Sequence, residues 1–275
     1  MVQSFDWQPI FLECKTKVAA NLQPLLKTLK DPQPDLGRGA GGDQMKLVDL
    51  AAEKALVDVL LRHDVSFTLV SEESGIKTYG NQPNDCYVTV DPIDGTTNLT
   101  RGLPFYCSSI AVSQKPLLSD VYAAMVTDLR HGDAYIAAKG KGAFCNNEKI
   151  TTSTVTSLTE ALIGLDLNTY KAKEVAPQLS ELIQETRHIR HFGANALELC
   201  FVAAGLTDAF VDIRGKLRTT DVAAGFLILQ EAGGLLSAPN GEAFDVPLDP
   251  RQTLKFVASG NSAIHQSILQ LLKPK

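Results

Sequence analysis

From about residue 158 the chain alternates apolar extended runs with amphipathic helical ones, and this rhythm restricts the possible folds more than any single residue does. It predicts strand 161–167, helix 171–186, strand 188–192, helix 194–205, strand 208–213 and helix 219–232. That order is the pattern of a layered α/β unit whose helices cover a sheet. Upstream, Trp7, Phe11, Cys14, Val18, Leu22, Leu25 and Leu29 recur at three- and four-residue intervals and predict a helix over 7–29. A second helix is expected over about 44–63, capped by Asp43, with Leu47, Ala51, Ala55 and Val59 facing inward and Asp49 in its first two turns. Strand-like runs at 106–113, 121–127 and 134–138, with turns marked by Gly140-Lys141-Gly142 and Asn146-Asn147, predict an antiparallel meander. The polar, β-branched stretch 150–157 is not a flexible linker. A first half (1–155) and a second (156–275) are therefore expected to share an interface within one domain, 1–275.

A hydrophobic content of 44% supplies a sizeable core. No apolar run approaches the roughly 20 residues of a membrane span, and residues 1–6 lack the charged-then-apolar pattern of a leader. A cytoplasmic protein without a membrane partner is expected. A net charge of −5 argues against nucleic acid as a partner, which calls for a basic face. An anionic substrate would then need cations supplied locally, and bound metal ions are one source. The five cysteines (Cys14, Cys86, Cys107, Cys145, Cys200) show no C-x-x-C spacing and for the most part read as buried thiols. His63, His131, His188, His191 and His265 show no metal-ligand spacing and read as structural or surface groups.

Two apolar runs end in carboxylates. Phe67–Val70 leads into Ser71-Glu72-Glu73-Ser74-Gly75, and Tyr87–Val90 leads into Asp91-Pro92-Ile93-Asp94-Gly95-Thr96-Thr97-Asn98. Strand ends are where α/β proteins gather their chemistry. Asp91 and Asp94 can share one hard cation across a turn, with Glu72 and Asp221 as further oxygen donors. Pro92 stiffens the turn and helps aim the Ile93 carbonyl, while Gly95 gives the backbone room for the N–H groups of Gly95 and Thr96 to meet phosphate oxygens. Read singly, the turn serves equally as a helix cap, Asp49 as a solvated helix residue and Asp221 as an N-cap. The two residues between Asp91 and Asp94 set the chain apart from D-x-D-G-T phosphatases, which form an aspartyl-phosphate. They favour direct attack by metal-activated water. The Gly-rich segment 35–42, within a breaker-rich stretch starting at Asp31, reads as a mobile loop over a surface or a site.

Asp91–Asn98 resembles the D-P-[IL]-D-G-T-x-N signature of the inositol monophosphatase family, within the lithium-sensitive, Mg²⁺-dependent sugar and inositol phosphatase superfamily. Ser71–Ser74 is similar to the family's G-E-E-S motif, with Ser71 in place of Gly. Thr220–Gly225 resembles its W-D-x-A-A/G motif without the Trp, and Glu231-Ala232-Gly233-Gly234 follows. The resemblance implies an α-β-α-β-α sandwich (α+β, layered α/β) and a phosphomonoesterase. It implies Glu72, Asp91 and the Ile93 carbonyl on one Mg²⁺, Asp91, Asp94 and Asp221 on a second, and a third, weaker ion near Glu72. Mn²⁺ is the implied substitute and Li⁺ the implied inhibitor. Asp49 and Thr96 resemble the pair that orients the attacking water, with Glu72 also among the catalytic groups. The implied substrate contacts are Gly193, Ala194, Asn195, Asp212, Arg214 and Arg218. Asp212 stands nine residues before Asp221, where animal members place a glutamate seven before.

The D-x-R-G-K-L-R-x-x-D run, with Arg187, His188, Arg190 and His191 upstream, resembles archaeal-type members acting on inositol 1-phosphate and fructose 1,6-bisphosphate. On composition alone these cations read equally well as a solvated face. Two alternatives stand beside this reading: a 3′(2′),5′-bisphosphate nucleotidase acting on adenosine 3′,5′-bisphosphate, and a non-catalytic regulatory binding member. The implied partners are a small phosphorylated substrate and a second copy of the chain in a homodimer.

Overall fold

The computed structural model describes residues 6–29, 31, 34–81, 83, 86–169 and 171–272. Residues 1–5 of the leader argument, and Pro32 and Gln33 at the start of the breaker-rich stretch, lie outside the described residues.

Helix α1 (Trp7–Leu26) is capped by Asp6, whose carboxylate accepts the Gln8 N–H at 3.3 Å. It ends three residues short of the expected span, within a turn of Pro24, which has no N–H to bond the preceding turn. Helix α2 (Leu47–Arg62) starts from Lys46, not Asp43. The Asp49 carboxylate accepts the Lys46 N–H at 3.0 Å, which is the work expected of Asp43. That contact turns Asp49 away from bulk water and buries it.

A large mixed sheet follows: β1 (Phe67–Ser71), β2 (Gly75–Tyr79), β3 (Tyr87–Asp94), β4 (Cys107–Ser113), β5 (Val121–Asp128), β6 (Ala134–Ala138), β7 (Gly142–Cys145) and β8 (Glu148–Lys149). Its order is β2-β1-β3-β4-β5-β6-β7-β8, antiparallel throughout except for β1 and β3. The second half supplies β9 (Leu162–Leu165), α4 (Ala172–Glu185), β10 (His188–Arg190), α5 (Asn195–Ala203), β11 (Ala209–Arg218), α6 (Thr219–Glu231), β12 (Leu235–Ser237), β13 (Thr253–Ser259) and α7 (Ser262–Leu271). These strands form a second sheet in the order β10-β9-β11-β13-β12.

The alternation of side chains along each strand sorts them into layers. On β4, Ile110 and Val112 join Phe11, Val18, Leu56 and Val59 in a core between the large sheet and α1/α2. Cys107 and Ala111 face the other way, into a core with Leu197 and Leu199 of α5, Val222 and Leu229 of α6, and Phe210 and Phe256 of the small sheet. The opposite face of that sheet, with Ile163 and Val211, packs on Leu179 and Leu182 of α4 and Ile264 and Ile268 of α7. The result is the α-β-α-β-α sandwich. Each such fully buried side chain contributes roughly 1.5–3 kcal/mol of transfer free energy, so the three apolar seams are what holds the layers in register. The segment 150–157 is fixed to α7, because Asn261 Nδ2 donates to the Ser153 and Val155 carbonyls at 3.2 and 2.8 Å.

Two features of this topology position chemistry. The parallel register of β1 on β3 sets Ser71 opposite Val90, which delivers Glu72 and Asp91 side by side at adjacent strand ends. Strand β11 runs on past the expected residue 213 to Arg218, through an irregular register between Asp212 and Leu217, and passes directly into α6. Among the described residues no helix is long and apolar enough to cross a membrane.

Candidate active site

A cleft of about 770 Å³ opens where these strand ends meet the N-terminal turns of α2, α5 and α6. Glu72, Asp91 and Asp221 converge there, and each offers a carboxylate oxygen within 4.8 Å of the other two. All three are buried. Burial, and then the Asp221 charge, holds Glu72 well above the usual carboxylate range. Burial first, then Glu72, Asp94 and Asp221, does the same to Asp91. Crowded acids of this kind call for a counter-charge, and an all-oxygen donor set suits a hard divalent cation. The residues present therefore fit Mg²⁺.

Asp94 sits to one side of this group. Its Oδ2 accepts the Ala196 N–H at 2.6 Å and its Oδ1 is 3.4 Å from Asn195 Nδ2, which ties it to the start of α5. Burial and Asp221 push it up to about 7. The resemblance pairs Asp221 with Asp91 and Asp94; the structure groups Asp221 with Asp91 and Glu72.

The two departures from the family motifs have local explanations. Ser71 donates its hydroxyl to the buried Glu53 carboxylate and accepts the Glu73 N–H at 3.1 Å, so it braces the turn that carries Glu72. Thr220, in place of Trp, donates its hydroxyl to Asp221 Oδ1 at 3.0 Å, while Oδ2 caps the Arg218 N–H at 2.9 Å.

Gly95 (φ +88°) turns the chain from β3 into the short helix α3 (Thr96–Arg101). A Cβ there would lie 3.1 Å from the Phe105 carbonyl and from Ala194 Cβ, so a side chain would push the two halves apart. Thr96 Oγ reaches Asp49 Oδ1 at 3.2 Å and the Ile93 carbonyl at 2.8 Å, bringing together the pair expected to orient water. Burial pushes Asp49 up to about 6. Asn98, the last residue of the signature, donates to the Phe105 and Phe192 carbonyls at 2.7 Å each and so joins α3 to the segment carrying Gly193. Asn98→Ala strands both carbonyls, at a cost of about 1–3 kcal/mol. A thermal midpoint several degrees below wild type is expected, and one within a degree would contradict this bracing role.

Gly193 and Asn195 line the cleft, whereas Ala194 is fully buried behind it. Asp212, expected at the substrate, is corrected to a supporting position. It is wholly enclosed, with both carboxylate oxygens engaged by Arg214. Arg214 lines the cleft but is held between Asp212 and Asp166, the latter at 2.5 Å. Arg218 bonds to carboxylates on three segments. Sequence reading passed over Asp166, Asn168, Arg251 and Thr253, which also line the cleft. Asp166 follows directly on β9, which ends two residues before the expected 167, so the strand-end rule that flagged Glu72 and Asp91 reaches it only once the strand is correctly bounded. The histidines keep to structural or surface positions: His265 lies buried between the Ser237 and Ser259 hydroxyls, His63 binds Glu13, and His131 binds Asp128.

Residues 11–274 match the inositol monophosphatase family. The chain belongs to that family. As a member it is a phosphoric monoester hydrolase of a metal-dependent, typically Mg²⁺-using kind that acts on small phosphorylated substrates. A fructose-1,6-bisphosphatase/inositol-1-monophosphatase of Methanothermobacter thermautotrophicus is 36% identical over 98% of this chain and 97% of its own. A bifunctional NADP phosphatase/NAD kinase of Methanococcus maripaludis is 31% identical over 84% of this chain, which spans 43% of that protein. Among solved structures, an inositol monophosphatase-fructose 1,6-bisphosphatase superposes with a TM-score of 0.85 at 27% identity, over 98% of this chain and 100% of that one.

Proposed function

We propose that this member of the family hydrolyses inositol 1-phosphate and fructose 1,6-bisphosphate with Mg²⁺, by direct attack of water on phosphorus. The observation that carries the reading is the convergence on one cleft of the Glu72, Asp91, Asp221 group and the Thr96–Asp49 pair. When bound, the cations supply counter-charge to the phosphate dianion, an acidified water and stabilisation of the leaving alkoxide.

The chain's own part is positioning. Glu72, Asp91 and Asp221, with Asp94 and the Ile93 carbonyl beside them, would hold the cations. Thr96 has one hydroxyl proton and two acceptors in reach. Donating it to Asp49 frees the Ile93 carbonyl as a ligand and leaves the hydroxyl lone pairs to accept from a water and fix its orientation.

Substrate choice is supported by the dual-named relatives and by the cleft's cations. Arg214 and Arg218 are committed to carboxylates, so Lys216 and Arg251, which line the same cleft, are better placed to meet a second phosphate. The complete carboxylate set supports catalysis over a regulatory binding role. The core that α5 and α6 share with both sheets supports one domain over residues 1–275. The reading also includes two to three Mg²⁺ ions, Li⁺ as an inhibitor and a homodimer in the cytoplasm. Calorimetric Mg²⁺ stoichiometry and sedimentation test the ion count and the assembly.

The NADP phosphatase relative favours a second reading, in which the ester belongs to a nucleotide. Initial rates of phosphate release with Mg²⁺ on inositol 1-phosphate, fructose 1,6-bisphosphate, adenosine 3′,5′-bisphosphate and NADP separate the two. The first two substrates are expected to lead by about tenfold in kcat/KM, a difference of about 1.4 kcal/mol in transition-state binding. A nucleotide in the lead would replace the first reading with the second.

A further inference from the structure

Arg218 is bound to more of the cleft than a substrate contact requires. Its Nη2 lies 2.7 Å from Glu72 Oε1 and 3.0 Å from Asp43 Oδ2, and its Nε is 3.4 Å from Asp221 Oδ1. Its Nη1 donates to the Gly41 carbonyl at 2.8 Å. Burial drives Glu72, Glu73, Asp91 and Asp94 upward, and Arg218 is the cation that opposes this shift at each of them.

The loop that Arg218 grips is built to meet it. Gly39 donates to the Asp43 carbonyl, and the Ala40 and Gly41 N–H groups donate to the Glu73 and Glu72 carbonyls at 2.9 and 2.8 Å. Residues 39–43 are thereby laid along the backbone of a predicted metal ligand. A Cβ at Gly41 would collide with the guanidinium and sit 2.9 Å from Glu72 Cγ, so only glycine admits this approach.

We propose that Arg218 is a positioning residue with two linked effects: it is a fixed counter-ion that competes with the divalent cation for Glu72 and Asp221, and it straps loop 39–43 across the cleft. The proposal rests on reading the cleft as a metal site. A planar guanidinium fork can hold two carboxylates and a carbonyl at once, which an ammonium on a flexible stem does not reproduce. The counter-ion role needs only the charge, and the strap needs the fork. Lysine therefore separates them.

The test uses full-length, EDTA-treated and dialysed wild type, Arg218→Met and Arg218→Lys. Each is titrated with Mn²⁺ by calorimetry and digested with trypsin, whose cleavage after Arg38 reports loop release. Arg218→Met is expected to bind Mn²⁺ about tenfold more tightly, because a positive neighbour is gone. It is also expected to be cut at Arg38 about tenfold faster, because the loop has lost its tether. Arg218→Lys should keep the wild-type Mn²⁺ affinity within about threefold yet share the faster cleavage. Unchanged or weaker Mn²⁺ binding by Arg218→Met overturns the counter-ion role, and a wild-type cleavage rate in both variants overturns the strap. Neither readout needs turnover, so a wild type that releases no phosphate would sink the proposed function while this test still decides the role of Arg218.

Discussion

Asp91→Asn is expected to lower phosphate release to about one thousandth of wild type or less and, in EDTA, to raise the thermal midpoint. Asp91 lies at the centre of the acidic group, enclosed and within 4.8 Å of ligand oxygens on Glu72 and Asp221. An amide of the same shape keeps one carbonyl oxygen but loses the charge that makes it a strong Mg²⁺ ligand. If the cations contribute about 4 kcal/mol to transition-state stabilisation, their loss is about a thousandfold in rate. The same substitution removes a buried charge crowded by Glu72, Asp94 and Asp221, and the relief of that penalty is about 1–3 kcal/mol. At about 2–4 °C per kcal/mol for a domain of this size, the midpoint in EDTA should rise by several degrees. Scanning calorimetry and a phosphate-release assay on one preparation read both effects. Retention of a tenth of the activity, or a lower midpoint in EDTA, would rule out the placement of Asp91 at the metal site. Opposite changes in activity and stability mark a functional charge, because a purely structural carboxylate would lose both together.

Much of this site was legible because its signals are local. The apolar runs before Glu72 and Asp91 marked strand ends, and the helical periodicity of 194–205 and 219–232 placed α5 and α6 to within two residues at each end. Features set by distant pairing were not legible. Asp43 looked like a helix cap because a capping residue is judged by its neighbours, but in the fold it pairs with Arg218, 175 residues away. Arg214 and Asp212 were expected at the substrate from the family resemblance; the partner that fixes Arg214, Asp166, is the residue after β9. The register of β1 on β3 lies equally outside sequence periodicity, which gives the faces of a strand but not its neighbour. No element was assigned beyond residue 232, where β12, β13 and α7 complete the small sheet and its outer helical layer. Of these, β12 is short and at the edge of the sheet, whereas β13 is an interior strand whose own alternation, with Leu254, Phe256 and Ala258 on one face and Val257 on the other, was there to be read.

Asp49→Asn should separate positioning from metal binding. The Asp49 carboxylate touches the Lys46 N–H and the Thr96 hydroxyl and is not one of the three gathered acids, so Mn²⁺ affinity by calorimetry should stay within about threefold of wild type. The expected loss is in kcat, by about 10²–10⁴, the range for a group that orients or accepts the nucleophile's proton. The reason is geometric. A side-chain amide at this position can present its NH₂ to Thr96 Oγ; the hydroxyl would then accept from that amide instead of donating, spend its proton on the Ile93 carbonyl 2.8 Å away, and keep only one of its two lone pairs for a water, with its orientation changed. Thr96→Val should reproduce the kcat loss through the other member of the pair, and Thr96→Ser should restore most of it, since serine keeps the hydroxyl. In the double variant the two losses should fall well short of multiplying, because each removes the same oriented water. Fully multiplicative losses would mean that Asp49 and Thr96 act independently, and weakened Mn²⁺ binding by Asp49→Asn would move Asp49 from the water to the metal.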